Sequence, residues 1–177
     1  MTNTPVSRWL LRIVASSLIV VVGIAATAAS TVSEQVTVSG PVKTPLTLHV
    51  DDLKAFPPAD VQTVTVKRRV DKDEVDSVVR GVKLTAVLDR AGFVGSDPNE
   101  WKHTVVLVTA TDGYQVVFSW SELFNSDLGA GAMLVFERDG QPLADREGRI
   151  ALVSAKDTRG GPRSVRSVDR LEVRVLK

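Results

Sequence analysis

From residue 35 to the C-terminus, short runs of alternating apolar and polar residues follow one another, each closed by Gly, Pro or Asp-Gly. Alternation with a period of two is what a half-buried strand requires, because successive side chains point to opposite faces. Gln35–Ser39, Leu46–Val50 and Val61–Val66 read as strands in this way. So do His103–Ala110 and Tyr114–Trp120, which flank the hairpin signal Thr111-Asp112-Gly113. Met133–Arg138, Asp139-Gly140 and Gln141–Leu143 repeat the strand–turn–strand pattern, and Ile150–Ser154 and Leu171–Val175 complete the set. The charged stretch Lys67–Asp76 reads as a solvated hairpin or loop.

Helical signals are few. Leu84, Val87, Leu88 and Ala91 fall at i, i+3, i+4 and i+7, and Gly92 supplies the stop. An Asp at 51 or 52 can cap one turn before Pro57-Pro58, and Ser121–Phe124 suggests another capped turn. With many strands, short helices and no βαβ series, the fold class is α+β, built from mixed small β-sheets with short helices. A chain of 177 residues has room for one such core rather than two.

The N-terminus reads as a targeting signal, with an uncleaved membrane anchor as the alternative. Arg8 and Arg12 precede the apolar run Ile13–Ala26, and Ala26-Thr27-Ala28 fits the small-residue rule for signal peptidase. The run is shorter than the ~20 residues that span a bilayer. Residues 1–28 are therefore expected to be a Sec-type signal peptide and 29–177 a single domain, periplasmic or secreted, with no membrane span after cleavage. Cleavage removes two of the 22 basic residues and none of the 21 acidic ones, which takes the net charge from +1 to −1. A near-neutral protein offers no general attraction to nucleic acid.

The search for chemistry returns mostly exclusions. The chain has no Cys, so disulfides, thiolate metal sites and cysteine nucleophiles are ruled out. No G-x-S-x-G, H-E-x-x-H, P-loop or G-x-G-x-x-G pattern occurs. Gly129-Ala130-Gly131 lacks the Lys of a phosphate cradle and reads as a loop, and His49 and His103 stand alone. One segment is different. In Lys156–Arg166, four cations surround Gly160-Gly161-Pro162. Gly leaves backbone N–H groups unshielded, and Arg presents a planar fork that matches an oxyanion. The alternative is a solvated loop paired with Asp157 or Asp169.

Several short motifs recur in a fixed order: Gly81-Val-Lys-Leu84, Leu88-Asp-Arg-Ala-Gly92, Ala110-Thr-Asp-Gly-Tyr114, Phe136–Leu143, Glu147-Gly-Arg-Ile150, Arg163-Ser-Val-Arg166 and Asp169–Val173. Together with Gly40-Pro41-Val42, Pro45–Leu48 and Asp52-Leu53, the series resembles the oxidoreductase molybdopterin-binding domain of the sulfite oxidase superfamily, in a small stand-alone exported form. The resemblance runs from Val36 to Val175. It implies an α+β domain in which a pterin dithiolene and one protein thiolate hold molybdenum.

That thiolate belongs between the third strand and the Gly-Val-x-Leu motif, where this chain has Val64–Val70 and no Cys. Lys and Arg have no lone pair to offer in its place. Lys83 also replaces the family's usual Pro. The leader, with a single Arg in Ser7-Arg8-Trp9, resembles a Sec signal, which threads an unfolded chain without a preassembled cofactor. The combined expectation is a domain without redox catalysis that keeps the cofactor groove for a small anionic ligand or a periplasmic protein partner. Molybdopterin bound through a non-thiolate ligand, or a purely structural interaction module, are the alternatives. The resemblance assigns the groove to Arg68 and Arg69 in the former ligand segment, and to Lys156, Arg159, Gly160, Gly161, Arg163 and Arg166 in a phosphate-facing loop. Asp112 and Tyr114 stand at the hairpin beside it.

Overall fold

The computed structural model describes residues 32–177 apart from 71, 96 and 98; the segment read as a signal peptide lies outside the described residues. The strands are β1 (Gln35–Ser39), β2 (Leu46–His49), β3 (Val61–Val70), β4 (Asp73–Lys83), β5 (Thr104–Ala110), β6 (Gln115–Ser119), β7 (Ala132–Arg138), β8 (Gln141–Pro142), β9 (Ala151–Ser154) and β10 (Val168–Val175). Among the described residues, three short α-helices interrupt them, α1 (Val50–Lys54), α2 (Leu84–Ala91) and α3 (Trp120–Phe124), with three single 3-10 turns, one of them at Gly129–Gly131 where a loop was expected. The expected α+β class is what the chain adopts. Among the described residues, no helix is long and apolar enough to cross a membrane.

One sheet has the order β2-β1-β10-β5-β6, antiparallel except where β1 runs parallel to β10. The other has the order β3-β4-β7-β8, with β9 also pairing β7. The main core fills the space between the sheets and takes Val36 and Val38 of β1, Val106 and Val108 of β5, Leu171 and Val173 of β10, and the inner face of α2. Leu84, Val87, Leu88 and Ala91 are all buried on α2, which is the stripe that the helical spacing anticipates. Truncating a fully buried leucine such as Leu88 removes about 2–5 kcal/mol.

β7 is buried on both faces. Leu134 and Phe136 enter the main core, while Met133 and Val135 enter a second, smaller cluster with Val79, Leu143, Ala151 and Val153. A strand covered on both sides needs an unbroken apolar run, which is why Met133–Phe136 does not alternate. Gly81 is what lets β4 approach this strand. A Cβ there would lie 2.2 Å from the Leu134 carbonyl oxygen, at a register shift between Arg80 and Gly81.

Several boundaries differ from the sequence reading. Lys67–Asp76 is a hairpin, but a fully strand-paired one, since β3 and β4 stay in register from Val61 with Val82 to Val70 with Asp73. β6 stops at Ser119 rather than Trp120, because Ser119 caps α3: its hydroxyl accepts from the Glu122 N–H at 3.1 Å and the Glu122 carboxylate accepts from the Ser119 N–H at 2.8 Å. β2 yields to α1 at Val50, where Asp52 accepts the His49 N–H at 2.8 Å. β10 begins three residues early, at Val168, past a register shift beside the polar Asp169-Arg170.

Candidate functional site

A cavity of about 1080 Å³ opens between the far end of β3, the β5–β6 turn, β9 and the loop from Ala155 to Arg166. Of the ten residues expected at a groove, eight line it: Arg68, Arg69, Asp112, Tyr114, Arg159, Gly160, Gly161 and Arg166. The chain folds so that β3 delivers its basic end here, while the tight Asp112-Gly113 turn brings Tyr114 across to the loop. That turn is held by the Tyr114 N–H donating to the Asp112 carboxylate at 2.9 Å, with Gly113 at φ +85°. The Tyr114 hydroxyl donates to the Pro162 carbonyl at 2.8 Å and ties the loop down.

Lys156 and Arg163 stand elsewhere. The Lys156 stem packs beside Gly131, where an added Cβ would meet its Cγ at 2.6 Å. Arg163 turns inward beneath the loop. Its Nε donates to Asp157 Oδ2 at 2.9 Å, its Nη2 to Asp157 Oδ1, and its Nη1 reaches Glu122 at 3.4 Å. The guanidinium also lies over the buried Phe118 ring, 4.7 Å from its centroid. Burial pushes the Asp157 carboxyl up, but hydrogen bonds from Arg163 and Ser154 together outweigh it and leave the group below the usual range. Glu122 is lowered chiefly by the Ser119 backbone N–H, with help from Arg163. Arg163 therefore braces the loop, and its charge is spent on two carboxylates.

The floor carries a cluster that the charge pattern did not announce. Glu147 is buried and accepts from Arg138 Nε at 2.8 Å and from Arg68 Nη1 at 3.3 Å. Arg138 also donates to the buried Ser77 hydroxyl at 3.0 Å, and Ser77 in turn contacts Asp139. Arg68 follows Val64 and Val66 along β3, so a guanidinium continues a stripe whose earlier members pack on the smaller core. Its Nε is buried with no hydrogen-bond partner, an unmet donor at the cavity wall. Arg69, Arg159 and Arg166 differ from these: among the described residues, none has a carboxylate partner, and all three are exposed at the cavity.

The sequence profile of the oxidoreductase molybdopterin binding domain matches residues 25–175. The chain belongs to this family. The chain superposes on the crystal structure of the sulfane dehydrogenase SoxCD from Paracoccus pantotrophus with a TM-score of 0.61 at 19% identity, covering 80% of this chain and 38% of that one. At that identity the likeness shows the fold alone, and the chain spans well under half of the SoxCD chain it matches. No curated protein matches it in sequence.

The residues present fit one part of the family's cofactor. Three guanidiniums with no carboxylate partner among the described residues, and an unmet buried donor, suit a phosphate-bearing, oxygen-rich group. Arg69, Arg159 and Arg166 would hold it. The molybdenum does not fit this donor set. No Cys, His or Met lines the cavity, and of its carboxylates Glu147 and Asp157 are held by arginines, Glu74 stands 3.8 Å from Lys67, and Asp112 serves its own turn. Where the resemblance calls for a thiolate ligand, this chain presents guanidinium, which offers a metal no lone pair.

Proposed function

We propose that this family member is an exported, non-redox domain that uses the cavity to bind a small phosphate-bearing anion, with the metal-free organic part of molybdopterin as the first ligand to test. The observation that supports the reading is the set of three guanidiniums that have no carboxylate partner among the described residues, Arg69, Arg159 and Arg166, around one cavity in a chain without any cysteine. Unpaired Arg at a rim favours an anion through charge-assisted, bidentate hydrogen bonds. The cavity is far larger than one phosphate needs and supports a ligand with a ring system attached. The export part of the reading is supported by the leader, Arg8 to Ala28, whose pattern favours the periplasm or the cell exterior.

The test is ligand-induced thermal stabilisation with a pterin phosphate, using the unphosphorylated pterin and inorganic phosphate as controls. The expected result is a raised melting temperature for the phosphorylated pterin that disappears in Arg159→Glu/Arg166→Glu, while the unliganded variant melts near the parent. An unchanged shift in that variant would refute the reading.

A further inference from the structure

Ser167 holds a backbone shape that serine rarely takes. Its φ is +48°, in the left-handed region that favours glycine, and the residue is buried. Asp139 is the other non-glycine residue with positive φ among the described residues, but it sits in the Asp139-Gly140 turn, where that conformation is ordinary. Ser167 stands between Arg166 and Val168, with no glycine beside it.

A mismatch of one residue is the cause. Val165 and Leu152 exchange both backbone hydrogen bonds, at 2.7 and 3.0 Å, and the Val168 N–H donates to the Ile150 carbonyl at 2.8 Å. Between those contacts the facing chain has Ala151 alone, whereas this side has Arg166 and Ser167. Two residues against one make a β-bulge, a device that re-aims a side chain. Here the extra residue lets Val165 and Val168 both enter the main core, while Arg166 between them is exposed at the cavity.

The bulge is clamped from both walls. The Ser167 N–H donates to the Glu147 carbonyl at 2.8 Å, and the Ser167 carbonyl accepts from the Thr111 N–H at 3.0 Å. Glu147 supplies the carboxylate on the cavity floor, and Thr111 precedes Asp112 in the β5–β6 turn. On a third side a Cβ at Gly148 would lie 2.5 Å from the Ser167 Cα. The same knot leaves the Thr111 hydroxyl buried with no hydrogen-bond partner. A strained backbone persists only where its surroundings over-determine it. These contacts do so at a residue that is not itself part of the cavity lining and reaches the cavity through its neighbour.

We infer that Ser167 is a positioning residue, whose left-handed backbone aims the Arg166 guanidinium into the cavity. The aiming stands on geometry, and its consequence for affinity rests on the anion-binding reading above.

Two experiments on the full chain test this. The first is calorimetric titration with a pterin phosphate. Ser167→Gly, which takes the left-handed backbone freely, should bind like the parent. Ser167→Val, whose branched Cβ opposes that backbone, should bind about tenfold more weakly, as should Arg166→Ala. Added to Arg166→Ala, Ser167→Val should bring no further loss, because both changes act through one guanidinium. Additive losses, or equal weakening by Ser167→Gly and Ser167→Val, would overturn the inference. The second experiment needs no ligand. Arg166→Cys supplies the only thiol of a chain without Cys. Sharing the cavity with Arg69 and Arg159, that thiol should prefer the dianion dithiobis-nitrobenzoate over neutral dithiodipyridine by about threefold, relative to the same thiol in the urea-unfolded chain. Adding Ser167→Gly should keep the preference and adding Ser167→Val should erase it. A preference that survives Ser167→Val would overturn the inference. Where Ser167→Val does not fold, Ser167→Thr, branched at the same atom but polar, replaces it in both experiments. A parent that ignores pterin phosphate while its thiol behaves as expected would sink the proposed function and leave the positioning role supported.

Discussion

Arg163 offers the sharpest contrast between what a cation suggests and what its geometry does. Replacing it with alanine removes both hydrogen bonds to Asp157, the longer contact to Glu122 and the stacking on Phe118. It also leaves the Asp157 carboxylate, with only 10% of its side chain exposed, without its cation. Removing one member of a buried pair costs about 3–5 kcal/mol. The guanidinium is 21% exposed, so solvent screening reduces the figure to roughly 2–4 kcal/mol. In a domain of this size a loss of 1 kcal/mol lowers the melting temperature by about 2–4 °C, which gives an expected drop of roughly 5–15 °C by differential scanning calorimetry. Arg163→Lys should recover part of the loss, because it keeps the charge and forfeits the fork. Arg159→Ala, only four positions away in the same loop, has no carboxylate partner to abandon among the described residues and should melt within about 2 °C of the parent. The reasoning fails if Arg163→Ala and Arg159→Ala melt alike, or if the Asp157→Ala/Arg163→Ala double variant shows no coupling between the two sites.

Gly81→Ala should cost at least about 2–3 kcal/mol in urea unfolding, since its Cβ meets the Leu134 carbonyl and a central strand must shift to admit it. Gly160→Ala, whose Cβ meets nothing nearer than the Lys67 carbonyl oxygen at 3.8 Å, should be close to neutral, and equal midpoints for the two variants would refute the packing account. The Asp157 and Glu122 carboxyls sit below their ordinary values of 3.8 and 4.5, so they bind protons less readily folded than unfolded. Their contribution is complete above about pH 5 and is lost as the pH falls through the lowered folded values. Melting temperature should therefore fall steeply below about pH 4, and less steeply in Arg163→Ala; parallel curves for the two proteins would contradict the assignment.

Much of this architecture can be read in the chain. The period-two runs place nearly every strand, and Leu84, Val87, Leu88 and Ala91 mark the one helix with a full apolar stripe, because these signals come from burial on a single face. What charge concealed was the extent of β3 and the start of β10: Lys67–Arg69 and Asp169-Arg170 are strand residues, Lys67 meeting Glu74 and Arg68 meeting Glu147, and local composition reads them as loop. The candidate groove was legible as a cluster of cations in Lys156–Arg166, but the division of labour inside it was not. Which arginine braces and which remains free depends on Glu122 and Asp157, and the first of these is 41 positions from Arg163. The Glu147 cluster depends on a pairing with Arg68 across 79 positions, which no local pattern records.

The account turns on a chain that keeps a molybdopterin-binding fold while lacking the sulfur that would anchor the metal. Elemental analysis of the full-length protein purified from its native host addresses this directly. The account predicts no stoichiometric molybdenum, whether or not a pterin co-purifies; one equivalent of molybdenum retained through gel filtration would contradict it.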